Sequence, residues 1–115
     1  MANLRDIVSE EISYRLKQCG QVILQQDISN PITYLFFRPT TSEDSITFKL
    51  EERNEKLYIF SLLEQATSDR TKRIYSLANK YLKSISSQNI EEGYEVDKKR
   101  FEETSKILKN IHVQS

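Results

Sequence analysis

Apolar positions along this chain recur with two different periods, and the change of period divides it into segments. Over residues 3 to 19, Leu4, Ile7, Val8, Ile12, Leu16 and Cys19 fall at helical spacing and form one apolar stripe. Asn3 stands where an N-cap belongs, and Asp6 follows in the first turn, where a carboxylate favours the helix dipole. Glu11 and Arg15 make an i,i+4 pair in the better orientation. Gly20 sits just past this helix, where a left-handed backbone is common, and is expected to terminate it.

From residue 22 the period shortens to two. Val22-Ile23-Leu24 is a short apolar run flanked by glutamines and is expected to be a first strand near 22 to 26. Ile32 to Phe37 is apolar on both faces, as a central strand is, with Asn30-Pro31 before it and Pro39 after it. Ile46 to Glu51 alternates, so one side is buried and the other wet. Arg53-Asn54-Glu55 suits a tight hairpin, and Lys56 to Leu63 returns as a further strand.

The last third reverts to helical spacing. Thr67, Ser68 and Asp69 are cap-type residues, and Ile74, Leu77, Ala78, Tyr81, Leu82 and Ile85 mark one face behind them. Ser84 to Asn89 is polar and reads as a turn, and Gly93 breaks the chain again. Asp97 is placed to cap a final helix running through Phe101, Thr104, Leu108 and Ile111, either packed on its own core or swapped onto another subunit. The expected plan is α+β: an N-terminal helix, an antiparallel β-meander of three to four strands, and two C-terminal helices. The length of 115 residues suits a single domain over 1–115.

Composition removes several function classes. The chain has 17 basic and 17 acidic residues, so it is neither a basic polyanion binder overall nor an acidic mimic. One cysteine, Cys19, cannot form the disulfide framework of a small secreted domain. The first residues carry acids and no signal-peptide apolar run, and no stretch suits a membrane span. The expected setting is therefore cytoplasmic, without a membrane partner. With one cysteine and one histidine, His112, no metal cluster is expected. No phosphate-binding glycine motif is present, and a Cys19–His112 pair is outweighed by a packed thiol and a solvated imidazole. The acid pairs Glu10-Glu11, Glu51-Glu52, Glu91-Glu92 and Glu102-Glu103 read as solvated charges. The expectation is a protein that is not an enzyme and needs no cofactor.

Three features remain as candidates. The first is the aromatic content of the meander. Tyr34, Phe37, Phe48, Tyr58 and Phe60, rimmed by Glu51 and Arg53, form the expected protein interface. Alternation sends Tyr34 and Phe36 to one side of the sheet and Leu35 and Phe37 to the other, so which side the helices cover decides what is exposed. The second is the basic helix 69–85, where Arg70, Lys72, Arg73, Lys80 and Lys83 stand against one acid. The third is the acidic hairpin, with Glu43, Asp44, Glu51, Glu52 and Glu55, which suits a basic partner or a second copy but is more often simply solvated. The leading functional expectation is a small non-catalytic protein-binding module of inhibitor, immunity, chaperone or adaptor type, with self-association open. The alternative is a nucleic-acid-binding regulator that uses the basic helix.

Overall fold

The structure, a computed structural model, describes residues 3–26, 29–40, 44–64, 68–90 and 93–107. The chain runs α1 (Leu4–Leu16), β1 (Gly20–Gln26), β2 (Ile32–Pro39), β3 (Ser45–Arg53), β4 (Lys56–Glu64), α2 (Asp69–Ser84), β5 (Ser86–Ile90), β6 (Gly93–Val96) and α3 (Lys98–Thr104). The class is α+β, with an N-terminal helix, an antiparallel sheet and two C-terminal helices.

Local chemistry sets the element ends. The Asn3 side chain accepts from Asp6 N at 2.9 Å, Ser68 Oγ from Thr71 N at 3.4 Å, and Asp97 Oδ1 from Arg100 N at 3.2 Å. Each satisfies a backbone donor that the first helical turn leaves without a partner. The β3–β4 hairpin closes through Asn54 and Glu55 at φ 51° and 66°, with Arg53 opposite Lys56. Two successive left-handed residues twist a two-residue turn in the sense that antiparallel strands need.

Gly20 departs from expectation. Its φ is not positive; it opens β1 rather than ending α1 in a left-handed cap. Its role is close approach, since a Cβ there would lie 2.1 Å from the Arg38 carbonyl oxygen.

The sheet order is β1-β2-β3-β4-β6-β5, antiparallel at every pairing. The first four strands are the expected meander. The last two lie between the C-terminal helices, where the Ser-rich stretch reads as turn and the glycine as a break. β5 is polar with no apolar alternation, and the four residues of β6 offer only Tyr94 and Val96; β6 finds a ready edge on β4, pairing Tyr58, Ile59 and Phe60 with Glu95, Tyr94 and Gly93.

Both helices of the main layer lie on one face. α1 lies over β1 to β3, and α2 over β4 to β6. Val8, Ile12 and Leu16 from α1 and Leu82 from α2 bury against Leu35, Phe37, Ile46, Phe48, Leu50, Leu57 and Ile59. Phe37 and Phe48 are 1% and 0% exposed, so they belong to this core and leave the expected interface. They fall at the inward positions of β2 and β3, opposite Ile46 and Leu35.

α3 closes one end of the core. Phe101 is fully buried, Asp97 N donates to Ile85 O at 2.8 Å, and Arg100 Nη1 donates to Ser86 O at 2.7 Å. The described part of this helix thus packs on its own chain. Leu108 and Ile111, expected to extend it, lie outside the described residues. No helix among the described residues is long and apolar enough to cross a membrane.

Candidate functional site

Because both helices take one side, the other face of the sheet has no layer of described residues over it. Strand register arranges it in rows. Ile23, Phe36, Thr47 and Leu62 are cross-strand neighbours from β1 to β4. Three of these are large apolar residues left open, at 56% for Ile23, 37% for Phe36 and 53% for Leu62. The next row runs Gln25, Tyr34, Lys49, Phe60 and Gly93, and the third Glu51, Tyr58 and Glu95.

The aromatic rings are held in place by their neighbours. Tyr34 stacks beside Phe36, with centroids 6.0 Å apart and planes 12° apart. Phe60 lies across Gly93, where a Cβ would meet its ring at 2.7 Å. The Arg53 guanidinium stands 5.6 Å from the Phe60 centroid and 5.7 Å from that of Tyr58, and Lys49 Nζ 5.4 Å from Phe60. Cations over ring faces attract through the ring quadrupole and keep both groups ordered.

The ionic end of the face is paired within itself. Glu51 bridges Lys49 at 3.4 Å and Arg53. Glu95, 6% exposed, pairs with Lys56 at 3.1 Å and accepts from Ser87 Oγ at 3.1 Å. The hydrogen bond and charge of Glu95 raise the Lys56 pKa above its ordinary value. The face therefore has an apolar end at Ile23, Phe36 and Leu62, and a nearly neutralised end around Glu51 and Glu95.

Of the expected interface residues, Tyr34, Tyr58, Phe60, Glu51 and Arg53 share this open face. Phe37 and Phe48 stand on the opposite side. Ile23, Phe36 and Leu62 complete the set, and the same alternation that selects Tyr34 and Tyr58 selects Phe36 and Leu62 from sequence.

The basic helix is exposed at Arg70, Lys72, Arg73, Lys80 and Lys83. Lys72, Arg73, Lys80 and Lys83 fall within an arc of about 100° on the outward side. None of the five makes an ion pair among the described residues, although Arg70 Nη1 approaches Thr40 O at 3.5 Å. This arc faces away from the sheet, so the two candidate surfaces look in opposite directions.

The acidic hairpin does not act as one patch. Asp44 is 4% exposed, and its carboxylate accepts from Ser68 N at 3.0 Å at the start of α2. Glu51 lies on the open face, Glu52 stands 3.6 Å from Arg5, and Glu55 makes the turn. Glu43 lies outside the described residues, as do His112 and the Glu91-Glu92 pair.

Glu11, like Asp44, Glu51 and Glu95, is a buried acid and not a solvated charge. Its side chain is fully buried and accepts from Ser105 Oγ at 2.7 Å, Ile107 N at 3.1 Å, Lys106 N at 3.2 Å and Arg15 Nε at 3.0 Å. Burial pushes its pKa up, but these four bonds together outweigh it and hold the carboxyl below its usual range. Arg15 also donates to Thr104 O at 3.1 Å and stacks 4.0 Å over Tyr81, whose phenol burial pushes up to about 12. This is a structural clamp between α1 and the chain after α3. Among the described residues no group of three or more His, Cys, Asp or Glu is placed to hold a metal ion.

No protein-family profile, no curated protein and no solved structure matches this chain.

Proposed function

We propose that this protein is a small non-catalytic binding module that docks another protein chain on the open face of its sheet. The observation that carries this reading is the row of Ile23, Phe36 and Leu62, left open beside Tyr34, Tyr58 and Phe60. Contiguous exposed apolar surface on a folded domain marks interaction sites, and aromatic residues with arginine are enriched at the anchors of interfaces. The charges on the face pair with one another, which favours a partner of balanced charge over a polyanion.

The test compares the wild type with Phe36→Asp and Leu62→Asp in pull-downs from the native host, treated with nuclease, alongside sedimentation of each purified protein. A stoichiometric protein retained by the wild type and lost by both variants, at unchanged melting temperature, is the expected result. A wild-type dimer that both variants abolish would make the partner a second copy. The same partners on wild type and variants would refute the reading.

A second reading rests on Lys72, Arg73, Lys80 and Lys83, which share the outward arc of α2 without ion pairs among the described residues. A nucleic-acid regulator acting through this arc binds with steep salt dependence, because contacted phosphates release counterions. Affinity for single- or double-stranded probes that stays flat from low to moderate salt removes it.

A further inference from the structure

Among the described residues β1 ends the sheet, with β2 on one side of it and no strand on the other. The ladder fixes which of its backbone groups face outward. Cys19 O accepts from Thr40 N at 3.0 Å, and the register runs on from Gly20 opposite Pro39 to Gln26 opposite Thr33. Bonded and non-bonded pairs alternate along an antiparallel ladder. Gln21, Ile23 and Gln25 therefore bond to β2, while Gly20, Val22, Leu24 and Gln26 turn their N–H and C=O groups outward.

An edge of this kind pairs with another chain unless something blocks it. β1 carries none of the usual blocks. Its seven residues, Gly-Gln-Val-Ile-Leu-Gln-Gln, hold no charge and no proline, and its register with β2 has no bulge. The opposite edge, β5, is five residues long and shifts register between Ser86 and Gln88. β1 is also apolar on both of its sides. Ile23 is 56% exposed on the open face, and Leu24, opposite buried Leu35, is 39% exposed on the helical side.

The edge is complementary to itself. Ile23 is the midpoint of β1, and a two-fold axis through it sets two β1 strands antiparallel. Gly20 then lies opposite Gln26, Val22 opposite Leu24, and Ile23 opposite Ile23 of the second copy. Outward backbone groups meet outward backbone groups, and Ile23 falls at a non-bonded pair, where side chains approach closest. The open row of Ile23, Phe36, Thr47 and Leu62 continues into the same row of the second copy. The flanks match in charge. Gln26 Nε2 donates to Asp6 Oδ1 at 3.3 Å, and Lys17 caps the other end of α1, where the chain turns into β1. The axis brings the Asp6 end of each α1 towards the Lys17 end of the other, opposite in side-chain charge and in helix dipole.

We propose that β1 pairs with β1 of a second copy about a two-fold axis at Ile23, making one continuous antiparallel sheet across a dimer. Pairing uses up this edge in both copies, and the bulge in β5 stops growth at two. The inference goes beyond the reading of the open face, since a partner can dock there whether or not the copies pair.

The experiment is sedimentation equilibrium of the purified full chain, of Leu24→Pro and of Leu62→Asp. Proline at 24 removes an outward N–H and leaves the bonds to β2, as an edge strand tolerates. The expected result is a wild-type dimer and a dissociation constant raised about tenfold or more in folded Leu24→Pro, because the axis doubles each lost bond. Leu62→Asp disables the face, leaves the edge intact and keeps the dimer, so failure of the face reading is seen separately. A second arm needs no proline. In a Cys19→Ser chain under mild oxidation, Ile23→Cys is expected to form a disulfide between copies, since about 4.5 Å between Cα atoms suits one. Gln25→Cys alone should not link, but should link to Gln21→Cys in a mixture. A wild type that sediments as a monomer overturns the proposal. So does a dimer unchanged in folded Leu24→Pro, a dimer lost in Leu62→Asp, or equal linking through Ile23→Cys and Gln25→Cys.

Discussion

Glu11 and Ser105 are separated by 94 residues of sequence, yet the Ser105 hydroxyl donates to the Glu11 carboxylate at 2.7 Å inside the protein. This bond, with those from Lys106 N, Ile107 N and Arg15, ties the N-terminal helix to the chain that leaves α3. Removing one member of a buried charged network leaves the other members unsatisfied. Glu11→Gln is therefore expected to lower stability at neutral pH by about 3 kcal/mol. The folded pKa lies below the usual 4.5, so the carboxylate's contribution is present above that value and is lost as pH falls through the folded pKa. Urea denaturation of wild type and variant from pH 7 to pH 3 checks this. The gap between them should close in acid, and a gap that stays constant would assign the effect to shape alone.

The two-residue turn at Asn54 and Glu55 offers a gain. Glu55 holds φ at 66°, a left-handed conformation that costs a residue with a Cβ about 1 kcal/mol. Glu55→Gly should remove that strain and raise stability by about 0.5–1 kcal/mol, with Asn54 left in the sequence best suited to such a turn. Thermal unfolding followed by circular dichroism reads the shift. A lower melting temperature would mean that the greater freedom of glycine in the unfolded chain outweighs the relief.

Gly93 and Phe60 should behave as a coupled pair. A methyl group at Gly93 would press on the Phe60 ring at 2.7 Å and on the Ile59 carbonyl oxygen at 2.9 Å. Gly93→Ala is expected to destabilise by about 1–3 kcal/mol, as overpacking does. In the Phe60→Ala background the same change should cost less, because the ring clash is gone while the carbonyl contact remains. A double-mutant cycle by chemical denaturation gives the coupling, and additive effects would place the ring elsewhere.

The two sides of the sheet should separate aromatic residues that look alike in sequence. Phe37→Ala and Phe48→Ala remove fully packed rings and are expected to cost about 3–5 kcal/mol each. Phe36→Ala, from a ring open to solvent, is expected to cost about 1 kcal/mol or less. Equal losses at Phe36 and Phe37 would show that something covers the outer face. Measuring all three by urea denaturation, at two protein concentrations, also reveals any stabilisation by a second copy.

Much of the architecture was legible without coordinates. Caps at Asn3, Ser68 and Asp97, the four meander strands and the Asn54-Glu55 turn all follow from local propensity and period. β5 and β6 were not legible, because Ser86 to Ile90 carries little apolar alternation and gains strand character only by pairing with β6, and β6 by pairing with β4. For the candidate site, alternation alone puts Tyr34 and Phe37 on opposite sides of β2 and Tyr58 and Phe60 on one side of β4, while the pairing register relates the strands to one another. It does not say which side the helices take. Glu11 was illegible as a buried group for a related reason, since its i,i+4 relation to Arg15 is the same on a solvated helix as on this one.

By itself, the sequence determined the helices, the four strands of the meander and the absence of the common catalytic and phosphate-binding motifs, because capping, turn chemistry and hydrophobic period act between residues close in the chain. Only the tertiary structure decided that both long helices pack on one face, that Phe36 and Leu62 stay open while Phe37 and Phe48 are buried, and that a carboxylate at position 11 holds residues 105 to 107. Those outcomes depend on contacts between segments distant in sequence, and a side chain's environment there is set by which neighbour arrives, which no local pattern records.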